Sequence, residues 1–394
     1  MLTGEKVQRT LTLARPATLA CALFFVATLI VAAAFMTVSA AASQSQAGPV
    51  LNVKAGLGQG VVSVNQYPGD PAITDGNTVR VAQGTTVAWQ LGSDETHTVT
   101  FRAGAPWPSV IMAQPEGASR PPMFNPQLIA PTVPSGPWDG TTFIHMELQA
   151  PDQELRVTFA RVGNYRYSCL FHEEMDGYVD VVPPGSPGIT TQAVVDQFAA
   201  THVAREHAED VAKIMASRSN PSPMLGADNS TLWFVRSGTN ARRDHVDIQA
   251  FLPENLTVSA GDTVAWYVDH TQPHTVTFAS AEGQRPEFVS VQLPDGRMLV
   301  PPPPGQAPDP SFLAAMAEIT EPPRIVVTGA IASRPSGVHD GRSMYNSGVI
   351  GEHPLIAYPM EKTWALTFST PGAFQYACLL HEQIGMKGTV TVLP

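Results

Sequence analysis

The chain is poor in cysteine and poor in positive charge. Only three cysteines occur in 394 residues, and Lys and Arg number 23 against 34 Asp and Glu. So few cysteines exclude a disulfide-stapled scaffold. A net charge of −11 argues against nucleic-acid binding, because neutralising phosphates needs a basic face. Also absent are a GxSxG elbow, a P-loop, a dinucleotide fingerprint, an HExxH helix and any H-x-H pair, so catalysis is disfavoured. What the chain does have is 43% hydrophobic residues with 36 Pro and 31 Gly. That is enough apolar material for cores, interrupted too often for long helical bundles, and it favours short strands joined by turns. The length suits two domains.

Lys6, Arg9 and Arg15 precede an uncharged stretch whose centre, Ala17 to Val38, is almost wholly apolar and ends in small residues at Ser39–Ala42. Residues 1–42 therefore read as a signal peptide or an N-terminal membrane anchor, the run being long enough for either. Both readings place the rest of the chain outside the cytoplasm, in the periplasm, at the cell surface or secreted. Cys21 lies early in the run and reads as one of its small apolar residues.

Self-comparison finds a repeat. TVRVAQGTTVAW (Thr78 to Trp89) aligns with LTVSAGDTVAW (Leu256 to Trp266), and His97-Thr-Val-Thr-Phe101 with His274-Thr-Val-Thr-Phe278. VTFARVGNYRYSCLFH (Val157 to His172) aligns with LTFSTPGAFQYACLLH (Leu366 to His381), the second copy carrying a longer insertion between its blocks. The blocks alternate apolar and polar residues over short runs, as half-buried strands do. The expected architecture is all-β: two tandem Greek-key sandwiches, over 48–185 and 229–394, joined by a helical linker within 186–228. The helix is expected over Thr191 to Ser217. The proline-rich insertions Pro106–Pro137 and Pro294–Pro323 are expected to run as long ordered loops or extended segments over one end of each sandwich.

Each copy supplies one early His and then Cys, His and Met in one short loop: His97, Cys169, His172 and Met175, then His274, Cys378, His381 and Met386. Two imidazoles, a thiolate and a weak thioether form the ligand set of a type 1 copper site. Reading Cys169 and Cys378 as a disulfide instead leaves both His and both Met residues unexplained. On these motifs each copy resembles the cupredoxins of the plastocyanin and azurin family. The loop Cys378-x2-His381-x4-Met386 is similar to that of plastocyanin and pseudoazurin, and Cys169-x2-His172-x2-Met175 has the contracted spacing of amicyanin. The resemblance covers well under half the chain and does not extend to the insertions.

The resemblance implies an extracytoplasmic electron-transfer protein with two copper ions, one per copy, and redox protein partners that dock transiently. It also implies an apolar docking patch around His172 and His381, to which Leu170, Phe171, Leu379 and Leu380 would contribute. Multicopper oxidases and copper nitrite reductases place a His directly before the ligand Cys, where this chain has Ser168 and Ala377. Two alternatives stay open: copper delivery without rapid electron transfer, and a cryptic copper oxidoreductase using His339 or His353. His145, His202, His207, His245, His270, His339 and His353 are otherwise expected to be solvated or packed side chains, with His270 in an exposed loop.

Overall fold

The computed structural model of the chain describes residues 48–394 apart from 116, 118–119, 222, 227–229, 242–244, 302–307, 320, 322 and 331–336. The expected signal or anchor segment, residues 1–42, lies outside the described residues. No helix among those described is long and apolar enough to cross a membrane.

Two β-sandwiches with matching strand order make up most of the molecule. In the first, Val50–Ala55 runs parallel to Thr86–Leu91, which pairs antiparallel with Glu154–Thr158. The facing sheet has five strands in the order Thr78–Ala82, Asp176–Val182, Gly163–Ser168, His97–Phe101 and Ile144–Leu148. In the second, Thr231–Ala241 runs parallel to Thr263–Tyr267, which pairs with Thr363–Phe368. Its facing sheet repeats the order with Asn255–Ser259, Lys387–Leu393, Gly372–Ala377, Thr277–Phe278 and Tyr345–Asn346.

Alternation along the strands decides which side chains go in. Val79 and Val81 are buried while Arg80, between them, turns out to meet Asp180 at 2.7 Å. Trp89 and Trp266, aligned in the repeat, are both fully buried. Trp89 packs edge-on against Phe101 and Tyr167, and Trp266 packs the same way against Phe278 and Tyr376. Burying one such ring is worth roughly 1.5–3 kcal/mol, so the two triads anchor equivalent cores.

The linker helix forms over Gln192–Arg218, within a residue of expectation at each end. It buries Val195 in the first core and packs Ala199, Val211, Ile214 and Met215 against Leu57, Val62, Val64, Val246 and Ile248. Those five come from both halves, because Val62–Val64 pairs antiparallel with Val246–Leu252 and stitches the sandwiches together.

The insertions depart from expectation. They do not run as separate loops over each sandwich; they weave one shared six-stranded sheet. Met123–Phe124 and Ile111–Met112, from the first insertion, lie between Arg324–Val326 and Ile356–Ala357 of the second half. Val110, Ile111, Phe124 and Leu128 bury with Phe288, Val291, Phe312, Ile325 and Val327 in a third core. The high proline content hides strands of only two or three residues, each too short to show a period of its own.

Candidate metal centres

Each candidate site is built where a strand hands over to a tight loop. His97 opens the strand His97–Phe101, and Cys169 directly follows the strand Gly163–Ser168. The loop from Cys169 to Met175 closes on itself: the Cys169 amide donates to the Met175 carbonyl at 2.9 Å, and the Met175 amide to the His172 carbonyl at 3.3 Å. In the second half the Cys378 amide donates to the Met386 carbonyl at 3.1 Å, and the Met386 amide to the His381 carbonyl at 3.0 Å. The two-residue difference in loop length is thus absorbed without changing how the loop is tied. The short helical turn Glu382–Ile384, ended by Gly385 at φ 109°, takes up the extra length.

The residue that follows each early histidine fixes the sulfur. The Thr98 amide points at Cys169 Sγ from 3.3 Å, and the Thr98 hydroxyl accepts from the Leu170 amide at 2.7 Å. Thr275 makes the same two contacts, to Cys378 Sγ at 3.3 Å and from the Leu379 amide at 2.7 Å.

Three donors converge in each half. In the first, Nδ1 of His97 and Nδ1 of His172 are 3.1 Å apart, and they lie 3.9 and 3.3 Å from Cys169 Sγ. In the second, the two Nδ1 atoms of His274 and His381 are 3.2 Å apart, and they lie 3.8 and 3.6 Å from Cys378 Sγ. Edges of this size fit three ligands held about 2.0–2.3 Å from one transition-metal ion. Met175 and Met386 are buried in the same cores as their cysteines. Both cysteines are free thiols, so the disulfide reading does not hold. Six of the eight expected residues therefore converge as two His–Cys–His triangles, with Met175 and Met386 buried in the same cores. Two imidazoles and a thiolate fit copper, for which a methionine sulfur is the usual weak further donor.

Ser93 and His270 hold the remote side of each buried histidine. Ser93 Oγ lies 2.9 Å from His97 Nε2, and His270 Nε2 lies 3.3 Å from His274 Nε2. His270 is thus a buried partner of a site histidine, not an exposed loop residue. At the spacing that aligns His97 with His274, Ser93 falls opposite His270, but a sequence register does not reveal a ring contact. Gly56 and Gly238 leave no room for a Cβ beside the same rings and have φ of +68° and +71°.

Four of the other histidines, His145, His202, His339 and His353, are packed. His145 contacts the Thr100 hydroxyl at 2.8 Å, His202 stacks on Phe198, and His339 sits among Phe278, Tyr345, Phe368 and Phe374. His353 reaches the Phe171 carbonyl at 3.1 Å. Among the described residues, no convergent group of three donor side chains includes His339 or His353.

The electrostatics of the two sites differ. Burial pushes the Cys169 thiol up, but His172 and His97 outweigh it and hold the group well below its usual range. Burial likewise opposes charge on His172, yet Glu95 and Cys169 raise its proton affinity well above the ordinary value. In the second half, burial pushes Cys378 up to about 11 and His381 down to about 4. Glu95 stands 3.2 Å from His172 and 3.7 Å from His381, so its carboxylate favours charge on the first loop histidine more than on the second. A bound cation would favour thiolate and neutral imidazole in both.

The expected apolar docking patch is not exposed. Leu170 and Leu379 are buried in the third core, and Phe171 and Leu380 pack against it. The shared sheet covers the end of each sandwich where the second loop histidine sits, leaving His172 only 3% exposed. Glu95, His172, His381, Phe171 and Leu380 line a cavity of about 80 Å³ between the two sites.

No family model matches the chain. No curated protein matches it either. Among solved structures, the oxidised plastocyanin of Dryopteris crassirhizoma aligns at 19% identity and a TM-score of 0.20, over 41% of this chain and 99% of that protein. A mutant amicyanin in its Cu(I) form aligns at 16% identity and a TM-score of 0.21, over 44% of this chain and 94% of that protein.

Proposed function

We propose that this protein is an extracytoplasmic electron carrier with two type 1 copper sites. His97, Cys169, His172 and Met175 hold one ion, and His274, Cys378, His381 and Met386 hold the other. The observation that carries the reading is the occurrence, twice, of the same buried His–Cys–His triangle at the same place in the strand order. Copper bound there supplies one-electron exchange between Cu(II) and Cu(I).

The protein's part is to keep the ligands still. The Thr98 and Thr275 amides aimed at sulfur stabilise thiolate charge, and their hydroxyls pin the loop. Ser93 and His270 fix the ring orientation of His97 and His274 from the far nitrogen. Burial excludes water from both triangles, so a change of one charge meets little solvent rearrangement. A rigid, dry site favours fast electron exchange and disfavours delivery, because handing over the metal requires ligands that a partner can reach. Redox partners dock transiently, on weak and small interfaces. They approach by a surface other than the loop-histidine edges.

Copper stoichiometry and an absorption spectrum on wild type, Cys169→Ser and Cys378→Ser test the reading. Two coppers with two intense thiolate bands are expected in wild type, and one of each in either variant. Colourless binding of Cu(I) alone, or metal uptake indifferent to both cysteines, would contradict it.

A further inference from the structure

The two metal centres are joined through one carboxylate. Glu95 lies in the loop before His97 and is only 6% exposed. Its Oε1 is 3.2 Å from His172 Nε2, in its own half, and 3.7 Å from His381 Nε2, in the other. The same oxygen accepts a hydrogen bond from Gln249 Nε2 at 3.0 Å, while Oε2 is buried without a partner. Both imidazoles thus turn Nδ1 toward their cysteine and Nε2 toward a single oxygen. In the repeat register the residue opposite Glu95 is Gln272, which spends its amide on the Phe171 carbonyl at 2.9 Å. One carboxylate therefore faces the loop histidines of both halves; a second buried acid, Asp247, lies within 4.8 Å of Glu95 and His172 and accepts from Asn65 Nδ2 at 2.6 Å.

We infer that Glu95 couples the two sites into a pair that exchanges electrons within one molecule, along His172, Glu95 and His381. The inference rests on the copper reading above. Every contact on the route is between atoms of this chain already in place, in a cavity lined mainly by apolar side chains. In the exchange one centre loses one electron and the other gains it. Glu95 remains a carboxylate and both Nε2 atoms keep their protons, so no outside reagent is consumed. Positions of fixed negative charge beside both centres also bear on both potentials at once: a nearby anion favours the oxidised, more positive form.

The test uses the copper-loaded full chain, Glu95→Gln and Glu95→Asp. Midpoint potentials are read by spectroelectrochemistry, and redistribution of a single injected electron by pulse radiolysis. Removing the charge in Glu95→Gln should raise both potentials. Shortening the acid in Glu95→Asp should leave both near wild type while slowing redistribution tenfold or more. In wild type, redistribution should not depend on protein concentration. Two bound coppers with only one potential moved in Glu95→Gln, or with redistribution unchanged in Glu95→Asp, would overturn the coupling alone. A third metal held by Glu95 in wild type would do the same. Wild type that takes up no copper would overturn the copper reading and the coupling with it.

Discussion

Gly56 lies so close to His97 that a Cβ on it would come within 1.9 Å of the imidazole Nε2. Its φ of +68° adds a second reason for glycine, since side chains rarely adopt that backbone conformation. The ring is thus clamped between the backbone at Gly56 and the donors it shares with Cys169 and His172. Gly238 stands in the same relation to His274, at 2.3 Å and φ +71°.

Gly56→Ala should therefore displace His97 and abolish metal binding in the first half while the second still binds. Gly238→Ala should do the reverse. Each should also cost about 1–3 kcal/mol of stability from backbone strain. Metal stoichiometry with thermal unfolding checks this, and full loading of both variants would show that the glycines do not position the rings.

The shared third core makes the halves interdependent. Leu379 follows the second cysteine and is 2% exposed, packed in a cluster with residues of the first insertion. Leu379→Ala should cost about 2–5 kcal/mol and lower a single cooperative melting transition. Calorimetry that resolves two independent transitions, only one of them moved, would contradict a common core.

Acid should weaken the apoprotein well before its carboxylates are exhausted. Burial pushes His145 down to about 4, and likewise His339 and His353. In the unfolded chain these rings take up protons below their ordinary value of 6.5, whereas in the fold they stay neutral until about 4. Stability is thus present above pH 6.5 and lost as pH falls toward 4, by up to about 3 kcal/mol for a fully buried ring. Denaturant unfolding at a series of pH values should show a shallower loss in His145→Gln than in wild type. Identical slopes would mean that His145 titrates alike in both states.

Metal uptake in the second half should release a proton from sulfur. Burial holds the Cys378 thiol at about 11, so at neutral pH it is protonated until a cation arrives. Titration of Cys169→Ser with copper in two buffers of different ionisation enthalpy should report this proton, and affinity should rise with pH. Proton-neutral binding would place the thiolate there beforehand.

Much of this molecule could be read from its sequence. The ligand residues sit in strands and loops whose pattern is local, and duplication displayed that pattern twice, so His97 and Met386 could be named before any fold was in view. The alternation of Val79 and Val81, or the apolar run ending at Trp89, likewise carries its strand in a few neighbouring residues. What remained hidden depends on contacts between distant segments. The strands Ile111–Met112 and Met123–Phe124 are too short to declare themselves and exist because Arg324–Val326 and Ile356–Ala357 pair beside them. Leu170 and Leu379 looked like surface residues because the covering layer comes from elsewhere in the chain. Glu95 is an unremarkable loop acid until the halves meet and bring His381 beside it.

The central claim is most directly tested by X-ray absorption at the copper edge of the loaded wild-type protein, with copper counted per chain. Two coppers, each bound by two nitrogen donors and one sulfur at short distance, are expected. A shell of nitrogen and oxygen alone, or no more than one copper per fully loaded chain, would contradict it.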